Sequence, residues 1–193
     1  MTPTAPGPIG AAAEDKDGSS DEDPGPSCFS LAIDSDDWRK LGDVERAAAR
    51  AYDAVVNSVP GIAGREVCLV LSTDAEVARL NAHYRGKAKP TNVLSFPAAP
   101  CPPAADAANG QPPLGDIIIS LETLLAEAAE DDKAPLAHLA HLTVHGLLHL
   151  AGFDHETDGE AERMEALERD ILGSLGIADP YCINIHDQPA LAG

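Results

Sequence analysis

The sequence predicts a small α+β domain, a mostly parallel four-stranded sheet with about five helices, one of them rich in histidine. Three observations carry that prediction. Short aliphatic runs alternate with longer stretches of helical period. The chain has 193 residues, enough for one domain with a sizeable core. Hydrophobic residues make up 44% of it and aromatics only 4%, so the core must be built from Ala, Leu, Val and Ile.

Residues 1–26 hold six acids and one base among Pro, Gly, Ala and Ser. Such a stretch buries too little surface to offset its ordering entropy, so it is expected to be a disordered acidic tail. A single ordered domain is expected over 27–185, followed by a short tail at 186–193. CFSLAI (28–33) reads as the first strand. From Trp38 to Val59 the residues Val44, Ala48, Tyr52, Val55 and Val59 recur at helical spacing, predicting one helix closed by Pro60-Gly61. EVCLVLS (66–72) is the second strand, and a helix capped by Thr73 or Asp74 runs on to about Tyr84. NVLSF (92–96) is the third strand. A Pro/Ala-rich loop spans Pro97 to Pro113, and DIIIS (116–120) follows as a fourth strand whose continuous apolar run predicts burial on both faces. Leu121–Asp131, Pro135–Ala151 and Asp158–Leu175 read as helices, with Pro135 suited to a first helical turn.

The composition also excludes. Thirteen Lys+Arg against thirty-two Asp+Glu leave a formal charge of -19. That balance argues against a protein that coats nucleic acid through counterion release, and against one bound to an anionic membrane. No apolar run approaches the roughly 20 residues that span a bilayer, and the first residues lack the basic start of a signal peptide. Cys28, Cys68, Cys101 and Cys182 form no C-x-x-C pair, so a zinc ribbon or thioredoxin-type site is excluded by spacing. A soluble, cytoplasmic protein is expected, with free thiols.

Five of the seven histidines lie between residues 138 and 155, in HLAHLTVHGLLHLAGFDH. At about 100° per residue, His138, His141, His145 and His149 share an arc of roughly 80° on one helix. Leucines and Val144 cover its other faces, so the helix should be buried almost all round. A buried stripe of imidazoles costs free energy unless it is hydrogen-bonded or binds a metal. His145 and His149 are four residues apart, the spacing that lets two Nε2 atoms reach one ion. Gly152 lets the backbone leave the helix, and His155 can return as a third ligand. Three imidazoles with an open fourth position describe a catalytic zinc site. The frame H-x-x-x-H-x-x-G-x-x-H is that of metzincin proteases, but those carry Glu directly after the first histidine, where this chain has Gly146. The metal site is predicted; a peptidase mechanism does not follow from it.

HGLLHLAGFDH resembles the signature of the bacterial YbeY family, metal-dependent endoribonucleases of ribosomal RNA maturation. LNAHYRGKAKPTNVLSFP (80–97) is similar to that family's N-x-x-Y-R…P-T-N-V-L-S-F-P block, and LGDIIIS (114–120) to its next strand. The blocks occur in the family's order, and the resemblance covers about residues 28–185; Ala88 departs from the acidic residue of many members. The resemblance implies a zinc-binding fold that acts on single-stranded RNA, in processing the 3′ end of 16S ribosomal RNA and in ribosome quality control. It implies one zinc ion per chain on His145, His149 and His155, and it maps the family's functional arginine onto Arg85. The implied partners are ribosomal RNA and the small ribosomal subunit or its associated proteins, with no membrane and no DNA specificity.

The residues support phosphodiester hydrolysis by zinc-activated water, with the guanidinium of Arg85 on the phosphate. The ribose 2′-hydroxyl is the other candidate nucleophile. Arg85, His145, His149 and His155 are thus the candidate catalytic set. His141, one turn before His145, is a candidate for substrate or for a group behind the ligands. Asp154 can orient a ligand imidazole or cap the final helix. Asn81 and Thr91 can order the backbone or touch RNA. Two other functions use the same triad: a zinc hydrolase of peptides or small molecules, and a non-catalytic ribosome-assembly factor with a structural zinc. The second needs a fourth protein ligand, for which Glu156, Asp158 and Glu160 are at hand.

The distribution of charge tempers its total. From Val77 to Ala105 there is no acid, while Arg79, Arg85, Lys87 and Lys89 lie together. Arg79, Lys87 and Lys89 are therefore candidate RNA contacts. A narrow, metal-centred site is expected, not indiscriminate RNA coating.

Overall fold

Four strands and five α-helices follow one another over the residues described by the computed structural model, 28–99 and 111–181. The acidic tail, the C-terminal tail, most of the Pro/Ala-rich loop, Cys101 and Cys182 lie outside the described residues. The strands are β1 (Phe29–Ile33), β2 (Val67–Ser72), β3 (Val93–Pro97) and β4 (Gly115–Ser120), and they pair in the order β1-β2-β4-β3. β1, β2 and β4 run parallel, and β3 joins β4 antiparallel as an edge strand. The sheet is therefore mostly parallel, as expected.

The helices are α1 (Val44–Ser58), α2 (Asp74–Arg85), α3 (Leu121–Glu130), α4 (Pro135–Leu150) and α5 (Asp158–Ser174). The strand period sorts side chains between two layers. Val67, Leu69 and Leu71 of β2 and Ile117 and Ile119 of β4 face a large core shared with α1, α4 and α5. Leu94 and Ile118 face the other way, onto Val77 of α2. β4 is thus buried on both faces, which is why its apolar run does not alternate.

The single helix expected over 38–59 is in fact two pieces. A 3₁₀ turn covers Asp36–Leu41, and α1 starts only at Val44. Gly42 between them takes φ 117°, and the Asp43 side chain accepts a hydrogen bond from the Arg46 N–H, which caps the new helix. The break sinks Trp38 into the core, where its Nε1–H donates to the Ser72 carbonyl at 2.9 Å. A continuous helical pattern hid this break.

Asp74 is also not a simple cap. Thr73 holds the cap position of α2 without a side-chain bond, while the Asp74 carboxylate accepts from the Thr123 N–H at 3.0 Å and from the hydroxyls of Thr123 and Ser120. Glu122 returns the contact by accepting from the Asp74 N–H at 2.8 Å. The N-termini of α2 and α3 cap each other, and these bonds hold the Asp74 carboxyl below its usual range although burial opposes them. No helix among the described residues is long and apolar enough to cross a membrane.

Candidate metal centre

α4 runs beneath β3 and β4 and delivers His145 and His149 from adjacent turns. Pro135 occupies its first turn, as predicted. It ends at Leu150, and Gly152 takes φ 92°, a conformation that turns the chain back and presents His155 to the same point. One ligand atom from each of His145, His149 and His155 lies within 4.8 Å of the others. Among the described residues no fourth His, Cys, Asp or Glu joins that group. Glu156 lines the same groove without entering the cluster.

Hydrogen bonding behind the rings determines which nitrogens are exposed. His145 Nδ1 lies 2.7 Å from Glu168 Oε1, and His149 Nδ1 lies 3.1 Å from the Phe153 carbonyl. A carboxylate and a carbonyl accept, so both rings carry their proton on Nδ1 and turn an Nε2 lone pair forward. The two Nε2 atoms are 3.0 Å apart. Two lone pairs at that distance repel each other, and a shared cation removes the conflict. Burial, with the neighbouring His145 and His155, pushes His149 below its usual range and so favours the neutral form that ligates. The donor set fits a zinc-type ion.

Glu168 was not singled out in the sequence. It is one of seven acids within 156–170, but on α5 it sits in line with Met164, Ile171 and Leu172 and is fully buried with them. An acid on the apolar face of a helix is the signal that marks it. The Tyr181 hydroxyl donates to its second oxygen, and His141 Nε2 stands 3.9 Å from it. Burial raises the Glu168 carboxyl, but His141, His145 and Tyr181 outweigh that and hold it down to about 2. His141 thus stands beside the carboxylate that backs His145. Glu168→Gln should keep the shape and lose the charge, weakening zinc about 10- to 100-fold in a chelator-competition titration.

Gly146 lies against the sheet. A Cβ there would stand 2.9 Å from Ile117 Cγ2 and 3.2 Å from Ser95 Oγ. The Ser95 hydroxyl donates to the Gly146 carbonyl at 3.2 Å and fastens α4 to β3. The position that holds Glu in metzincins is thus closed by packing.

The remaining candidates separate. Asp154 accepts from the His155 N–H at 2.8 Å, so it orders the backbone of a ligand; Thr157, with Glu160, caps α5. His138 is drawn away from the triad: its Nε2 lies 2.8 Å from Glu127, whose oxygens also accept from Asn92 Nδ2 at 3.1 and 3.0 Å. Arg85 ends α2 and lines one groove of about 640 Å³ with the three histidines of the triad and Ser95. Lys87 and Lys89 line an adjoining groove of about 520 Å³ that shares Arg85 and Thr91 with the first. Asn81 orders that loop through its Nδ2, which donates to the Lys89 carbonyl at 2.7 Å. Arg79 stays apart from both grooves, forked onto Glu76 at 2.9 and 2.5 Å.

A model of the family described as Endoribonuclease YbeY matches residues 32–176. The Endoribonuclease YbeY of Parvibaculum lavamentivorans is 53% identical over 151 residues, 75% of this chain and 80% of that protein. That of Azorhizobium caulinodans is 48% identical over 157 residues, 79% of this chain and 95% of that protein. A solution structure of a Thermotoga maritima protein is 22% identical with a TM-score of 0.47, covering 80% of this chain and 99% of that one.

Proposed function

Because this chain belongs to the YbeY endoribonuclease family, we propose that it is a zinc-dependent endoribonuclease that cleaves single-stranded RNA in ribosomal RNA processing. The single observation that carries the reading is the shared groove. His145 and His149, whose Nε2 lone pairs turn forward, and His155 beside them share it with Arg85, and among the described residues no fourth ligand joins them. The 3′ end of 16S ribosomal RNA is the proposed target, with a role in ribosome quality control, and residues 27–185 are the proposed catalytic domain. A cytoplasmic location and the small ribosomal subunit as partner accompany that reading.

His145, His149 and His155 would hold a zinc ion, which would supply Lewis acidity and lower the pKa of water bound to it. The chain's own residues do the rest. Arg85 binds and orients the scissile phosphate through a planar fork that matches two of its oxygens. Glu168 and the Phe153 carbonyl hold the protons of His145 and His149 on Nδ1. Lys87 and Lys89 extend the positive surface along the strand beyond the cut.

Gly146 weighs against the peptidase alternative, since neither the group nor the space for it exists. The absence of a fourth ligand among the described residues weighs against a closed structural zinc.

Metal-stripped protein should lose RNA cleavage and regain it with zinc. Arg85→Ala should keep its zinc and lose at least ~10²-fold in kcat/KM. Normal cleavage by Arg85→Ala removes the arginine from the mechanism. Cleavage indifferent to chelation overturns the metal reading. A 2′,3′-cyclic phosphate end would identify the ribose hydroxyl as nucleophile.

A further inference from the structure

In the proposed reading the groove with the triad takes the phosphate, and the base beside it needs a surface of its own. The most exposed large hydrophobic side chain among the described residues supplies such a surface. Tyr84 directly precedes Arg85 on the last turn of α2 and is 63% exposed. Its ring is nevertheless held. Phe96 of β3 packs beneath it with ring centroids 5.0 Å apart, and the His83 ring meets it edge-on at 4.7 Å. An exposed aromatic braced on two sides keeps a face open to solvent while its orientation is already restricted.

From these contacts we propose that Tyr84 is a stacking platform for an unpaired base of single-stranded RNA, next to the nucleotide whose phosphate lies on Arg85. The inference rests on the endoribonuclease reading and adds a base subsite to it. Three features favour RNA over a protein surface as the occupant. The platform lies inside the segment from Val77 to Ala105 that contains no acid, so no carboxylate of that segment repels a phosphate chain. Arg85, Lys87 and Lys89 follow it within five residues and line two adjoining grooves, one of which holds the triad. A base stacks on a flat ring whatever its identity, which suits a site that reads single-strandedness, since a duplex keeps its bases stacked on each other.

The position of the ring also gives the strand a path. β3 is an edge strand, with Ser95 turned to α4 and the metal groove and Phe96 turned to the opposite face. A nucleotide chain passing Arg85 at that edge can place its phosphate on the metal side and the next base on Tyr84.

The test uses zinc-loaded full-length protein and a single-stranded RNA carrying 2-aminopurine at successive positions. Its fluorescence is quenched when that base stacks. Wild type should quench at one position, and Tyr84→Phe should match it. Tyr84→Leu still covers Phe96 but offers no flat face. It should lose the quench and bind about 5- to 100-fold more weakly, with kcat largely kept and a thermal midpoint like that of wild type. Quenching and affinity unchanged in Tyr84→Leu would overturn the platform while leaving the nuclease reading intact. Wild type that quenches without cleaving would overturn the nuclease reading and keep the platform. Wild type that neither binds nor quenches would overturn the platform as well.

Discussion

His155→Ala and His145→Ala are both expected to abolish tight zinc binding and RNA cleavage, and to differ in what they do to the fold. Removing a group behind a ligand typically weakens metal binding by about 10- to 100-fold, so removing a ligand itself should exceed ~100-fold. The loss of cleavage should match the loss of metal. The stability effects diverge because the two rings stand in different surroundings. His155 is exposed, on the turn that follows α4, and its loss leaves no buried partner unsatisfied. His145 is the donor to a fully buried Glu168 carboxylate. Its loss leaves that oxygen without its closest histidine, a penalty of about 1–3 kcal/mol. Zinc titration, cleavage rate and thermal midpoint measured on both variants separate the two effects. Equal midpoints would mean that the Glu168 contact contributes nothing to folding. Zinc binding retained in either variant would remove that histidine from the ligand set.

Gly146→Glu should be strongly destabilising, although it restores the residue that metzincins carry. Already the Cβ would press on Ile117 Cγ2 at 2.9 Å, and Ile117 is buried in the sheet. Overpacking of this kind costs about 1–3 kcal/mol, and a carboxylate driven into the same space adds a desolvation penalty of several more. A loss of at least ~3 kcal/mol is expected, visible as a lower urea midpoint, and no peptidase activity should appear. A variant as stable as wild type would show that α4 can slide away from β3 and β4. Hydrolysis of a peptide library by that variant would show that only the missing carboxylate separates this site from a protease.

Much of the candidate site was legible because its spacing is local. His149 lies four positions after His145 and His155 six after His149, so helix geometry and one glycine bring the three together without reference to the rest of the chain. Strand positions were legible for the same reason, since a run such as DIIIS has no helical period and is short. The break at Gly42 was not legible. Val44, Ala48, Tyr52 and Val55 continue in helical phase on its far side, and only the docking of Trp38 under Ser72 requires the chain to turn there. Glu168 escaped notice because it is one acid among seven, and its burial depends on α5 lying against α4. Arg79 looked like part of a basic cluster, and a glutamate one turn before it holds it elsewhere.

By itself the sequence determined the histidine triad, the order of the elements, the family and the acid-free stretch that adjoins the site. These depend on residues close together in the chain, where the helical and strand periods dictate relative position. Only the tertiary structure decided which tautomers the ligands hold, why Gly146 has no side chain, and that Arg85 shares a groove with histidines sixty or more positions away. Each of these depends on contacts between distant segments, which arise when the core of α1, α4, α5 and the sheet closes.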